Sequence, residues 1–268
     1  MSTTDLLSRS FFERGWCKFP FERSVMDWVS AALPHARDAV KAPENDVWFR
    51  CGRTWFVGVN ALPNAPDTTV HGSQPLSGAV REFVGDVLGC GELAWDRGQV
   101  SVCYPGYPQP YEGETGAAYR FRLNRDAAHV DGLLREGPEA RRFLREHHAF
   151  ILGLPLAEAD PGAAPVVVFE GSHELMRKHF AAFYGATNPA HWRQMDVTEA
   201  YHVARREVFE TCPRVVVPAR PGEAYLIHRL ALHGVAPWQE GAQAGPDGRM
   251  ICYFRPETGD PGAWLRAL

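Results

Sequence analysis

Apolar residues in the first third of the chain recur at the spacing of an α-helix. Within residues 22–40 and 76–88 they lie three or four positions apart, which places them on one face of each helix. These positions are Val25, Trp28, Val29, Leu33, Val80, Phe83, Val84 and Val87. A further helix-like stretch, residues 5–14, precedes the strand-like sequence GWCKFPF. The pattern therefore predicts a helical N-terminal third, about residues 1–95 of the chain.

From Gln99 onward the pattern changes to short runs of β-branched and aromatic residues, each bounded by residues that favour turns. We predict strands at QVSVCY, AAYRFRL, HAFILGLPL, PVVVFE, RVVVPA, EAYLIH and RMICYFR. Helical insertions are expected at residues 174–184 and 189–207. Short antiparallel strands of this kind favour a double-sheet jelly roll, which hides its edges and leaves a mouth where a site can form. We expect a mainly β fold with flanking helices, with a cupin-like barrel over about 96–258 and one domain over 1–268.

Composition and charge narrow the classes of function. The net charge is −4 and no run of Lys or Arg stands out, which argues against a nucleic-acid partner and favours a small molecule. No segment approaches the roughly eighteen apolar residues of a membrane span, and the first residues lack the layout of a signal peptide. The six cysteines form no CxxC pair, so we expect free thiols in a reducing cytoplasm. The sequence carries no signal for an oligomeric state.

The sequence DAAHVDG contains the first candidate for chemistry. Residues two apart in a strand point to the same face, so His129 and Asp131 can offer a nitrogen and an oxygen to one ion. His233, at the end of a late strand-like run, is the candidate third ligand. Two histidines and one carboxylate leave three positions of an octahedral ion open, which suits Fe(II) oxygen chemistry. The alternative for the HxD pair alone is a surface histidine beside a turn aspartate.

A strand-borne arginine follows the three candidate ligands. In RMICYFRP, Arg249, Ile251, Tyr253 and Arg255 share one face of the predicted strand. A cosubstrate with a carboxylate needs a fixed donor near the metal, and guanidinium geometry matches a carboxylate. Arg249 is the first candidate for this role and Arg255 its rival. The order HxD, then a β-rich stretch, then His-Gly, then arginine favours a metal site.

Several segments in this order resemble a known family. They are FFERGWCKFPF near the start, HVD at 129–131, VVVFEGSHELMRKHF at 166–180, PGEAYLIHRLALHG at 221–234, and the RMICYF strand. Together they resemble the phytanoyl-CoA dioxygenase family of Fe(II)/2-oxoglutarate-dependent oxygenases, loosely over residues 6–257. The resemblance implies a double-stranded β-helix.

The same resemblance implies a set of roles for named residues. His129, Asp131 and His233 would bind iron, and Arg249 would bind the distal carboxylate of 2-oxoglutarate. Oxidation by O2 of a small-molecule substrate would then accompany decarboxylation of 2-oxoglutarate to succinate. Related halogenases have a small residue in place of the carboxylate ligand, so Asp131 favours a hydroxylase over a halogenase.

The sequence also suggests positions for several residues that are not candidate ligands. Ser172, in the Gly-Ser-His segment, is expected to act as an N-cap. His228 lies five positions before His233, so along a regular strand it would face the other way and serve a structural role. Gln99 is a candidate lining residue of the pocket, and the aromatic group around Trp55 is expected in the core or over the barrel mouth.

Two other functions use parts of the same pattern. A cupin-type metalloenzyme without 2-oxoglutarate would keep the three ligands and have no need of Arg249. A non-catalytic barrel that serves as a binding module would make the HxD pair accidental.

Overall fold

A computed structural model describes residues 2–111 and 113–266. The helices are α1 (Thr3–Arg14), α2 (Arg23–Lys41), α3 (Ala79–Glu82), α4 (Gly116–Arg125), α5 (Ser172–Tyr184) and α6 (Thr198–Thr211). The strands are β1 (Trp16–Phe19), β2 (Phe49–Arg50), β3 (Trp55–Phe56), β4 (Gln99–Cys103), β5 (Leu133–Glu136), β6 (Arg141–Leu144), β7 (Phe150–Pro155), β8 (Val166–Phe169), β9 (Arg214–Val217), β10 (Ala224–His228), β11 (His233–Val235) and β12 (Arg249–Phe254).

Two antiparallel sheets form the centre of the structure. The larger has the order β1-β10-β7-β12-β4-β3-β2 and the smaller the order β11-β8-β9, while β5 and β6 form a separate hairpin. Strands β7, β10 and β12 fall in the large sheet, and β8, β9 and β11, which alternate with them in the chain, form the small one. This mainly β, antiparallel arrangement is consistent with a jelly roll.

One apolar core lies between the two sheets. It contains Ile151, Val166, Val168, Val217, Tyr225, Ile227 and Ile251. Because side chains alternate along a strand, the other face of the large sheet carries a second apolar set, which packs against α1 and α2. The other face of the small sheet packs against α5 and α6. The barrel is therefore covered by helices on both sides.

The N-terminal third is less helical than its sequence pattern predicts. Helices α1 and α2 and the strand β1, which lies within GWCKFPF, follow the expectation, but β2 and β3 were not expected. Strand β1 extends the large sheet at one edge, and β3 and β2 extend it at the other. The helix expected over 76–88 is an α-helix only over Ala79–Glu82 and continues as a π-helical turn over Phe83–Val87. It begins after Gly78, where the Ala79 amide donates to the Glu22 carboxylate (3.1 Å).

The segment AAYRFRL is the helix α4, so its prediction as a strand was wrong. Thr115 caps this helix by accepting a hydrogen bond from the Ala118 amide (3.2 Å). The two arginines and the alanines in the segment are favourable in a helix, and they outweigh the aromatic residues that suggested a strand. Arg122 forms an ion pair with Glu114 and lies over the ring of Tyr111 (5.0 Å).

Two general expectations can be compared with the structure. All six cysteines are free thiols, and four of them are buried. Over the described ranges 2–111 and 113–266, no helix is long and apolar enough to cross a membrane.

Candidate metal centre

The three residues expected to bind metal lie together. Their ligand atoms are all within 4.8 Å of one another. In the described part of the chain, they form the one group of at least three His, Cys, Asp or Glu side chains close enough together to hold a metal ion. His129 Nε2 lies 3.1 Å from Asp131 Oδ1, and His233 Nε2 lies 3.7 Å from the same oxygen. Two nitrogens and one oxygen thus converge on one small volume, as a metal site requires.

The backbone brings the two histidines side by side. His129 and His233 form an isolated antiparallel bridge, in which each amide donates to the other's carbonyl (2.8 and 3.0 Å). Gly234 permits the close approach, since a Cβ at that position would lie 2.2 Å from the Asp126 carbonyl oxygen. Asp126 itself has a left-handed conformation (φ 55°), and its carboxylate forms an ion pair with Arg214 (2.7 and 2.8 Å). The bridge is therefore supported by a turn that a residue from β9 holds in place.

Each histidine is fixed in the tautomer that a metal needs. The Nδ1 of His129 donates to the Ala127 carbonyl (3.0 Å), and the Nδ1 of His233 donates to the Ala231 carbonyl (2.9 Å). With the proton on Nδ1, the Nε2 lone pair of each ring faces Asp131. Burial lowers the pKa of His233, and His129 and Arg255 lower it further, although Asp131 acts in the opposite direction. The neutral form, which is the ligand form, is thus favoured.

The carboxylate of Asp131 is oriented by an arginine. Arg255 Nη1 donates to Asp131 Oδ2 (3.3 Å), which leaves Oδ1 toward the two imidazoles. The main chain at Arg255 is in turn fixed by His148, whose Nδ1 donates to its carbonyl (2.7 Å). Burial alone would raise the pKa of Asp131, but the neighbouring Arg255 guanidinium holds it well below its usual range. Asp131 is therefore an ionised carboxylate, ready to bind a cation.

A cavity of about 180 Å³ opens over these three residues, and most of its other lining is apolar. Its lining residues include Trp55, Val57, Val59, Gln99, Ser101, Ile151, Val166, Val235, Tyr253 and Arg255. Gln99 was a candidate lining residue, and it lines the cavity. The aromatic group around Trp55 was expected in the core or over the barrel mouth; Trp55 lines the cavity and Phe56 lies in the core. Val57, Val59 and Ser101 were not expected there. The alternation of Trp55, Val57 and Val59 with Phe56 and Gly58 was the signal that could have identified them.

The two candidate arginines lie at different ends of β12. Arg255 lines the metal cavity and contacts Asp131, whereas Arg249 lines a second cavity of about 370 Å³ at the far end of the barrel. Arg249 Nε donates to the Ala164 carbonyl (2.9 Å). Its Nη1 is buried and has no hydrogen-bond partner among residues 2–111 and 113–266. Of the two, Arg249 thus has a free buried donor and Arg255 does not.

A pair of tyrosines lies between the two cavities. Tyr225 lines the far cavity and Tyr253 lines the metal cavity, and the Tyr225 hydroxyl donates to that of Tyr253 (3.1 Å). Burial raises the pKa of Tyr253, and the neighbouring Arg249 guanidinium offsets part of that rise. Val166 lines both cavities. One layer of side chains therefore separates Arg249 from the metal cavity.

Two further expectations concern residues outside the cavity. Ser172 is not an N-cap, because Gly171 occupies that position and the Ser172 Oγ instead accepts a hydrogen bond from the Leu232 amide (2.8 Å). His228 is buried beside α5, where its Nδ1 accepts a hydrogen bond from the Leu230 amide (3.0 Å). It is not part of the three-residue group and has the structural position that was expected.

No protein-family model matches the sequence, and no curated protein matches it either. Among solved structures, the chain is similar to EvdMO1, with a TM-score of 0.51 and 13% identity over 96% of this chain and 50% of that one. It is also similar to SnoK, with a TM-score of 0.50 and 14% identity over 97% of this chain and 85% of that one. The protein therefore shares the fold of SnoK, a non-heme alpha-ketoglutarate-dependent carbocyclase from nogalamycin biosynthesis.

Proposed function

We propose that this protein is a non-haem Fe(II)- and 2-oxoglutarate-dependent oxygenase that uses O2 to oxidise a C–H bond of a small molecule. The observation that carries the proposal is the convergence of His129 Nε2, His233 Nε2 and Asp131 Oδ1, with each ligand fixed by a partner. That SnoK, which has the same fold, depends on alpha-ketoglutarate supports the choice of cosubstrate.

The donor set fits Fe(II). Two neutral imidazoles and one carboxylate on one side of an ion leave adjacent positions for a bidentate ligand and O2. A zinc site of the structural kind would instead close all four positions, usually with cysteine, and no cysteine from the described ranges 2–111 and 113–266 lines this cavity. His129, Asp131 and His233 would therefore hold the iron.

The buried side chains between the metal cavity and the far cavity also fit 2-oxoglutarate. Arg249 carries a buried Nη1 that lacks a partner within the described residues, and a buried cation of this kind is stabilised by a carboxylate. The Tyr225 and Tyr253 hydroxyls lie between that guanidinium and the metal residues. We propose that Arg249 binds the distal carboxylate of 2-oxoglutarate, and that Arg255 instead orients Asp131.

When bound, the iron and 2-oxoglutarate would supply the oxidising power, with succinate and carbon dioxide as products. The chain supplies orientation and a dry environment. Arg255 orients Asp131 so that one carboxylate oxygen would face the ion. The Ala127 and Ala231 carbonyls fix the orientation of the two imidazoles. Because a carboxylate occupies the third ligand position, we propose hydroxylation or a related C–H oxidation rather than halogenation.

We further propose that the chain acts as one domain of the phytanoyl-CoA dioxygenase kind. The support is the order of its motifs, from the N-terminal FFERGWCKFPF to the late RMICYF strand. Six free cysteines, four of them buried, fit a reducing compartment, so the cytoplasm is the proposed location.

Anaerobic titration with Fe(II) and 2-oxoglutarate tests the function. The wild-type protein should show the weak visible charge-transfer band of the chelate, and Asp131→Ala should lose it because an ionised ligand is gone. His129→Ala should behave in the same way, with far-ultraviolet circular dichroism confirming that both variants are folded. Tight metal binding without any band would instead favour a cupin-type metalloenzyme that does not use 2-oxoglutarate. If neither metal nor 2-oxoglutarate binds, the barrel is a non-catalytic binding module.

A further inference from the structure

One wall of the metal cavity is a strip of half-buried apolar side chains. Trp55, Val57 and Val59 all line the cavity, and none of them is fully buried. The residue between the first two, Phe56, points the other way and is completely buried in the core. The segment thus alternates between core and cavity, as an extended chain does. Contiguous apolar surface left open in a concave site usually marks the contact area of a ligand.

The indole of Trp55 is held rigidly at this wall. Its Nε1 donates to the Ser101 hydroxyl (3.1 Å), and the Tyr107 ring packs edge-on against it with 6.0 Å between ring centroids. On the backbone side, Trp55 pairs with Cys103 of β4. An aromatic ring fixed in this way offers a flat contact surface at little cost in side-chain entropy.

The charges that line the cavity are already matched. Among residues 2–111 and 113–266, Asp131 is the one acidic residue that lines it, and that carboxylate is engaged by Arg255 and faces the two histidines. Asp131 would be engaged by the metal as well as by Arg255, and Arg255 already has a carboxylate partner. The Gln99 side chain makes no hydrogen bond within the described ranges, so its amide is free to donate or accept. The cavity therefore offers apolar contact and neutral polar groups, namely the Gln99 amide and the two hydroxyls of Ser101 and Tyr253, which each already accept one hydrogen bond.

From this wall we infer the substrate class: an uncharged, largely apolar molecule that lays a ring or hydrocarbon face against Trp55, Val57 and Val59. A neutral polar group on that molecule would meet Gln99. This inference rests on the proposed function for its chemistry, but the binding it describes can be measured separately. A charged group on the substrate would be buried without a partner, which is strongly unfavourable.

Three probes of matched shape test the inference: 2-naphthol, which is neutral, 2-naphthoate, an anion, and 2-naphthylmethylamine, a cation at neutral pH. Their affinities would be measured by isothermal titration calorimetry with protein loaded anaerobically with Fe(II) and 2-oxoglutarate, and with unloaded protein. We expect 2-naphthol to bind at least about tenfold more tightly than either charged probe, since an unpaired charge in an apolar site costs more than a factor of ten in affinity.

Substitutions in the wall identify where the probe binds. Val57→Asp should weaken 2-naphthol binding at least about tenfold, because it places a charge in the contact surface. Val47→Asp is the matched control, since Val47 is 68% exposed and does not line the cavity. Val59→Asp provides a second position should Val57→Asp fail to fold, as judged by thermal unfolding.

The outcomes are distinct. Tighter binding of 2-naphthoate would overturn the inference and make Arg255 an anchor for an anionic substrate. Equal binding of all three probes, binding of none, or the same small effect for both Val57→Asp and Val47→Asp would also overturn it. Failure of the proposed function would appear separately, as the absence of the 2-oxoglutarate charge-transfer band in the wild-type protein.

Discussion

Replacement of Arg249 tests whether Arg249, at the start of β12, or Arg255, directly after its end, binds 2-oxoglutarate. If Arg249 binds the distal carboxylate of 2-oxoglutarate, Arg249→Ala should weaken 2-oxoglutarate but not pyruvate, a 2-oxo acid that lacks that carboxylate. Both Nε and Nη2 of Arg249 already donate to the Ala164 carbonyl, so the free donor is Nη1. One hydrogen bond to a charged group contributes about 1.5–3 kcal/mol. At about 1.4 kcal/mol per factor of ten, the loss corresponds to a roughly 10- to 150-fold higher Kd.

The assay is anaerobic titration of the Fe(II)-loaded protein with each 2-oxo acid, followed through the visible charge-transfer band. Arg249→Lys retains the charge but not the fork of donors, so it should recover only part of the affinity. Arg255→Met is the matched comparison on the same strand. It removes the partner of Asp131 and should lower Fe(II) affinity about 10- to 100-fold while both 2-oxo acids are affected equally. The assignment is refuted if pyruvate weakens as much as 2-oxoglutarate in Arg249→Ala, or if the selective loss occurs in Arg255→Met.

Two further predictions concern stability. Gly234→Ala should destabilise the fold by about 1–3 kcal/mol and weaken metal binding, because its Cβ would lie 2.2 Å from the Asp126 carbonyl; Gly245→Ala, with open space around it, is the denaturation control. Burial lowers the pKa of His228 well below 6.5, and the neighbouring His173 lowers it further. The unfolded chain therefore binds a proton that the fold excludes, and stability should fall below pH 6.5 by about 1.4 kcal/mol per pH unit for this residue. Urea unfolding of His228→Gln should show a shallower fall, and an unchanged slope would contradict the argument.

The sequence alone placed His129 and Asp131 together because their spacing is local, whereas His233 was added only from the order of the motifs. A spacing of two places His129 and Asp131 on one side of an extended chain, whatever surrounds them. The helix α4 could not be predicted in the same way. Its residues Tyr119 and Phe121 are favoured in strands, and the capping hydrogen bond is accepted by Thr115, which lies outside the AAYRFRL segment.

The different contacts of Arg249 and Arg255 could also not be predicted from the sequence. Both point to the same side of β12, so alternation cannot rank them. What separates them is which loops approach each end of the strand. Arg255 forms a hydrogen bond with Asp131, and Arg249 forms one with the Ala164 carbonyl. Each contact joins residues that are more than eighty positions apart in the chain. Such long-range packing leaves no periodic signal in the sequence.

The bridge between His129 and His233 has a consequence for the lifetime of the protein. Two backbone hydrogen bonds join these positions, which are more than a hundred residues apart in the chain. An ion bound by both imidazoles would link two segments of the barrel that are distant in the chain. By mass action, iron at a hundredfold excess over its Kd would add about 2.7 kcal/mol to the free energy of unfolding. Iron supply would then govern how long the folded chain survives proteolysis as well as how fast it turns over substrate.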